Sequence, residues 1–111
     1  MKIAFYGSSL LSSWWNGAAT YYRGLLRDLA SRGYEITFYE PDAYERQQHR
    51  DMEPQAWARS VVYPATPEGL RSVLVEARAA DVVVKASGVG VFDDELIEGI
   101  IEHSSPRALK I

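Results

Sequence analysis

Residues 2–40 read "KIAFYGSSLLSSWWNGAATYYRGLLRDLASRGYEITFYE" and decide the fold. "KIAFY" (2–6) is a short apolar run that stops at Gly7, the pattern of a strand buried on both faces. In residues 18–32, Tyr22, Leu25, Leu26 and Leu29 recur at i, i+3, i+4 and i+7, while Arg23, Arg27 and Arg32 fall on the outer face. That period predicts an amphipathic helix, and Gly33 suits the position just past its end. "YEITFYE" (34–40) is the second strand, with Pro41-Asp42 expected to stop it. Strand, helix and strand in this order make a parallel pair joined by a crossover.

The alternation continues. Residues 42–60 are polar, with Pro54 as a breaker, and "VVY" (61–63) is a short third strand. Thr66-Pro67 combines an N-cap with proline at the first helical position. A second helix over 67–79 then places Leu70, Val73, Leu74 and Ala77 in one stripe. "DVVVKA" (81–86) is the fourth strand, and Gly88 and Gly90 make a turn. Asp93 or Asp94 caps a third helix over 93–103, whose apolar face is Leu96, Ile97, Ile100 and Ile101. Ser105-Pro106 ends it, and "RALKI" (107–111) begins a fifth strand. The expected architecture is α/β: one three-layer, Rossmann-like domain over 1–111 with about five parallel strands in the order 3-2-1-4-5. In that order strands 1 and 4 are neighbours whose connections leave to opposite faces. Ligands bind above such a switch point.

Composition narrows the function. Hydrophobic residues make up 47% of the 111, too many for a disordered chain. Twelve basic and 15 acidic residues leave a net charge of −3, so no nucleic-acid surface is expected. The absence of cysteine excludes disulfides and thiolate metal sites, and His49 and His103 lack paired-ligand spacing, so no metal is expected. In "MKIAFYGSSLL" Gly7 cuts the apolar run too short for a signal peptide, and no stretch nears the ~20 apolar residues of a membrane span. A cytoplasmic location fits.

Two loops are expected at the switch point: residues 7–17, carrying Trp14 and Trp15, and Ser87–Val91, preceded by Lys85. Both lead into helix N-termini, which favour phosphate or carboxylate. Asn16 is a candidate N-cap, and Gly17 permits close approach. Glu40 ends strand 2 where a ribose-binding acid would sit, but from Gly7 the chain runs ten residues to its next glycine, Gly17, so GxGxxG is missing. No cofactor is expected. The tryptophans either cover the edge of the core or stack on a sugar. The loop's length, beyond the usual two to six residues, favours binding. Lys85 either reaches a ligand or points to solvent; Ser87 and Gly88 either bind or only turn the chain. The run "YERQQHRD" (44–51) reads as a solvated loop, although Arg46, His49 and Arg50 could touch an anion. No acid–base or nucleophile constellation emerges, so no catalytic residue is assigned.

The phrases "MKIAFYGSS", "WNGAATYYRGLLRDLASRGYEITFYEPDAY" and "DVVVKASGVGVFDDEL" resemble the N-terminal domain of GT-B glycosyltransferases, many of family 4 among them. "FYEPDAYERQQHRD" and "VVKASGVGVFD" are closest to the spore-maturation, CgeB-like branch. The resemblance implies the acceptor-side half of a two-domain enzyme, with the nucleotide-sugar donor held mainly by a C-terminal domain and a sugar-containing acceptor on this side. It carries substrate binding onto Trp14, Trp15, Asn16, Gly17, Lys85, Ser87 and Gly88. The loop's usual double glycine is Asn16-Gly17 here. The isolated chain is then expected to be inactive and able to form a homodimer through its exposed cleft face. The competing reading is a stand-alone flavodoxin-like binding or interaction module. A helix after "RALKI" would mark such a module complete, and its absence favours a fragment.

Overall fold

The computed structural model describes residues 1–7, 18–42, 57–86, 89 and 92–111, with backbone alone for residues 18–21. The elements are β1 (Lys2–Tyr6), α1 (Ala18–Ser31), β2 (Glu35–Asp42), β3 (Ala58–Pro64), α2 (Pro67–Leu74), a 3-10 turn (Val75–Ala79), β4 (Val82–Lys85), α3 (Asp93–His103) and β5 (Leu109–Lys110). All pairings are parallel and the order is β3-β2-β1-β4-β5, as the sequence predicts.

Each strand sends alternate side chains to opposite faces. Under α1, Ile3, Phe5, Ile36 and Phe38 pack with Leu26. Phe5 stacks on Phe38 with centroids 5.3 Å apart, and Tyr22 of α1 leans on both rings. On the other face Ala4, Tyr6, Tyr39, Tyr63 and Val83 meet Leu70, Val73 and Leu74 of α2 and Leu96 and Ile100 of α3. There Tyr6 stacks on Tyr39 at 4.6 Å. The Tyr6 hydroxyl donates to the Val73 carbonyl at 2.7 Å, which satisfies its buried polar end and ties β1 to α2.

The helix ends follow local chemistry. Gly33 adopts φ +95°, its N–H donating to the Ala30 carbonyl, and Tyr34 N–H donates to Leu29. This is the paired closure that a left-handed glycine permits. Thr66 Oγ1 accepts from Gly69 N–H at 3.0 Å, with Pro67 opening α2. Gly69 itself has no room to grow: a Cβ there would strike the Pro64 carbonyl.

Several expectations need correction. Pro41 does not stop β2, which runs to Asp42 with Pro41 opposite Tyr63. The Tyr39 carbonyl faces β1, where it accepts from Gly7 N–H. By the two-residue alternation Pro41 faces the same side, beyond the last β1 residue, so its missing N–H costs no ladder bond. β3 is longer than "VVY" and β5 shorter than "RALKI". The last turn of the second helix tightens to 3-10, a common ending. Leu25, Ile97 and Ile101 stand exposed. α3 instead buries Leu96, Gly99 and Ile100, because a Cβ at Gly99 would collide with Leu74 and the bare backbone lets the two helices close up. Leu109 and Ile111 are also exposed, on the border of the sheet.

Two predictions follow from this packing. Gly24 lies mid-helix with open space around it, so Gly24→Ala should stabilise the fold by about 1 kcal/mol, whereas Gly69→Ala should destabilise it by about 1–3 kcal/mol; urea unfolding reads both. The Tyr39 hydroxyl is pushed from 10.0 up to about 12 by burial and by the neighbouring Glu76 carboxylate, and burial also raises Tyr6. The folded state therefore holds protons that the unfolded chain releases. Stability should be flat up to pH ~10 and fall between about 10 and 12. Tyr39→Phe should make that fall shallower; an unchanged pH profile would reject this account.

Candidate functional site

β1 and β4 lie side by side at the centre of the sheet, and the chain leaves their carboxyl ends toward helices on opposite faces. Gly7 N–H bonds to the Tyr39 carbonyl and Ala86 N–H to the Tyr6 carbonyl, so both departures are held to the sheet. Gly7 is there for want of space: a Cβ would stand 2.6 Å from Phe38 Cζ. Of the seven residues expected to bind substrate, Trp14, Trp15, Asn16, Gly17, Ser87 and Gly88 lie outside the described residues, as do Arg46, His49 and Arg50.

Lys85 is described, and it does not point to solvent. It pairs with Tyr6 in register and so faces α3. Its side chain is only 13% exposed, with Nζ donating to Asp93 Oδ1 at 2.8 Å and to the Ala86 carbonyl at 3.0 Å. The same Asp93 oxygen accepts the Val89 N–H at 3.0 Å. One carboxylate thus joins the end of β4, the chain at Val89 and the start of α3. Neither expected cap is used at the N-cap position: Phe92 stands there in the left-handed region (φ 57°, ψ 34°), without a side-chain cap. This conformation costs a non-glycine residue roughly 1–3 kcal/mol, offset by packing of the Phe92 ring against the core. Asp93, Asp94 and Glu95 fill the first turn, where negative charge meets the positive end of the helix dipole.

Glu40, on β2, is 1% exposed and stands opposite Val62. Among the described residues no group of three or more His, Asp or Glu could hold a metal ion. No described helix is long and apolar enough to cross a membrane. His103 sits in the last turn of α3, where a basic group complements the helix dipole.

One cluster escaped the sequence reading. At the amino ends of the strands Arg59 Nη1 lies 3.2 Å from Glu76 Oε1, above Thr37 and Tyr39. The available signal was the polar half of the alternation at the strand starts, Lys2 in β1, Glu35 and Thr37 in β2 and Arg59 in β3.

The Lys85–Asp93 contact is testable. Asp93→Ala should destabilise the domain by about 1–3 kcal/mol, because it strands a largely buried ammonium and an N–H together. Lys85→Met should cost less, since Asp93 keeps the Val89 bond and the helix terminus. Equal costs in urea unfolding would show that the pair acts through its Coulomb attraction alone.

No protein-family model matches the chain, and no curated protein matches it. A solved structure is similar in fold: the crystal structure of a "Putative exported protein from Burkholderia pseudomallei", at 17% identity and a TM-score of 0.53. The match takes in 99% of this chain and 47% of that one, so the chain spans about half the length of its structural neighbour.

Proposed function

We propose that this domain is the acceptor-side half of a nucleotide-sugar-dependent glycosyltransferase of the two-domain GT-B type, closest to the CgeB-like branch. The observation that carries the reading is the central placement of β1 beside β4, with α1 and α3 on opposite faces. It makes the carboxyl ends of these strands the switch point, and the segments "SSLLSSWWNG" and "SGVGV" are attached there. The neighbour's greater length is consistent with a fold that serves as one part of a longer chain.

In this reading Trp14 and Trp15 stack on the sugar-containing acceptor. Asn16 and Gly17 open the entrance of α1 toward the donor diphosphate, and Ser87 and Gly88 line the opposite wall. Lys85 is a positioning residue: through Asp93 it fixes the path of the chain into α3. Charge on the departing diphosphate must be stabilised as it develops, and one helix terminus supplies roughly 0.3–1 kcal/mol at an exposed site. The companion domain supplies the rest, so residues 1–111 alone catalyse nothing. The same reading keeps the protein in the cytoplasm, where nucleotide-sugars are made, and the cleft face is open to homodimer formation until the companion domain covers it.

Calorimetric titration with uridine, guanosine and adenosine diphosphate sugars tests this. Binding should be no tighter than about millimolar, roughly −4 kcal/mol, and no sugar should be transferred or hydrolysed. Micromolar affinity or turnover by residues 1–111 would instead identify a complete nucleotide-binding module.

A further inference from the structure

The two faces of the sheet differ at the amino ends of the strands. Under α1 they carry Ile3, Phe5, Ile36 and Phe38. On the opposite face β1 and β2 carry Lys2, Ala4, Glu35 and Thr37, side by side in register. Small and polar residues stand where branched apolar ones would fill the layer, and Glu76 and Ala79 of the 3-10 turn line the space above them. A cavity of about 410 Å³ opens over Thr37, walled by Lys2, Glu35, Arg59 and Glu76, with the buried Ala4 and Tyr39 beneath it.

The walls are ordered by Glu76. Its carboxylate meets Arg59 Nη1 at 3.2 Å and, standing beside the Tyr39 hydroxyl, helps hold that phenol in its neutral form. A guanidinium has five N–H donors in a rigid fork. One described contact to Glu76 orients that fork at the rim of the cavity, a geometry suited to a second carboxylate. Lys2 adds positive charge and Glu35 negative charge on the same lining.

We propose that this cavity is a binding site for a small zwitterion of the α-amino-acid class. The ligand carboxylate takes the Arg59 fork, its ammonium lies between Glu35 and Glu76, and its side chain covers Thr37. The volume falls within the range of about 300–1,000 Å³ typical of small-molecule sites. A ligand of one sign meets as much opposing charge as matching charge on this lining; a zwitterion matches both. Floor and walls come from strands and a helical turn, so the site is formed before the ligand arrives. It lies at the opposite end of the strands from the switch point and needs no sugar, so it is separate from the proposed transferase cleft and would serve as an effector or carrier site.

Nitrogen-15 NMR of the whole chain tests the proposal. Alanine, leucine and phenylalanine, each raised to about 10 mM, should shift the amide signals of Thr37, Tyr39, Arg59 and Glu76 with dissociation constants in the millimolar range or tighter. The matching carboxylates without the amine, and amines without the carboxylate, should bind at least about tenfold more weakly. Arg59→Gln, at an exposed rim position, should weaken binding by a similar factor with the melting temperature unchanged. Thr37→Leu should fill the floor and abolish the shifts. Absent shifts, shifts confined to other residues, equal binding of the des-amino acids, or unaltered affinity in Arg59→Gln would each overturn the assignment.

Discussion

Two stacked ring pairs hold the centre of this domain, one on each side of the same two strands. Phe5 on Phe38 and Tyr6 on Tyr39 are consecutive in both strands and register-matched across the β1–β2 pair. A slip of one residue would turn each phenylalanine to the tyrosine side, where the hydroxyl partners lie. The hydroxyls make that slip costly. The Tyr6 hydroxyl is bound to the Val73 carbonyl and the Tyr39 phenol is held neutral beside Glu76, so the tyrosine face is matched to α2 and the 3-10 turn. The phenylalanine face has no polar end to satisfy and takes α1. The Tyr6 hydroxyl thus adds a polar contact on one face to the apolar packing that seats the helices on both.

The order of elements was legible because the strands are apolar runs ended by glycine or proline and the helices keep a 3.6-residue period. Topology followed from general rules on crossovers. Faces were harder to read. In α3 the sequence offers four aliphatic residues at 96, 97, 100 and 101, and only Leu96 and Ile100 are buried. The deciding residue is Gly99, whose bare backbone admits Leu74 and turns the helix so that Ile97 and Ile101 face outward. A packing glycine and a glycine in a turn look alike in one dimension. Pro41 misled for a related reason: a strand tolerates proline wherever its neighbour has already left.

The candidate site was legible in outline and only partly in detail. The switch point could be located from strand order alone. Lys85 could not be assigned, since a lysine at a strand end looks the same whether it reaches a ligand or a carboxylate eight residues on. An acid before a helix suggests a cap, but Phe92 holds the N-cap position and the Asp93 oxygen is engaged with Lys85 and Val89. The Arg59–Glu76 cluster joins elements 17 residues apart, and no local pattern announces it.

The border at β5 has a further consequence. Val82 and Leu109 share one face of the sheet, and Ile111 continues that face, with Leu109 and Ile111 largely bare. On its inner side β5 is tied by Leu109 N–H to Asp81, Ile111 N–H to Val83 and Lys85 N–H to Ile111. Its outer side presents Lys110, whose ammonium folds back on the Ser105 and Ala108 carbonyls. A sheet with a free border invites growth by addition of another strand. β5 is only two residues long and carries a lysine, and both a short edge and a charge on it disfavour such pairing.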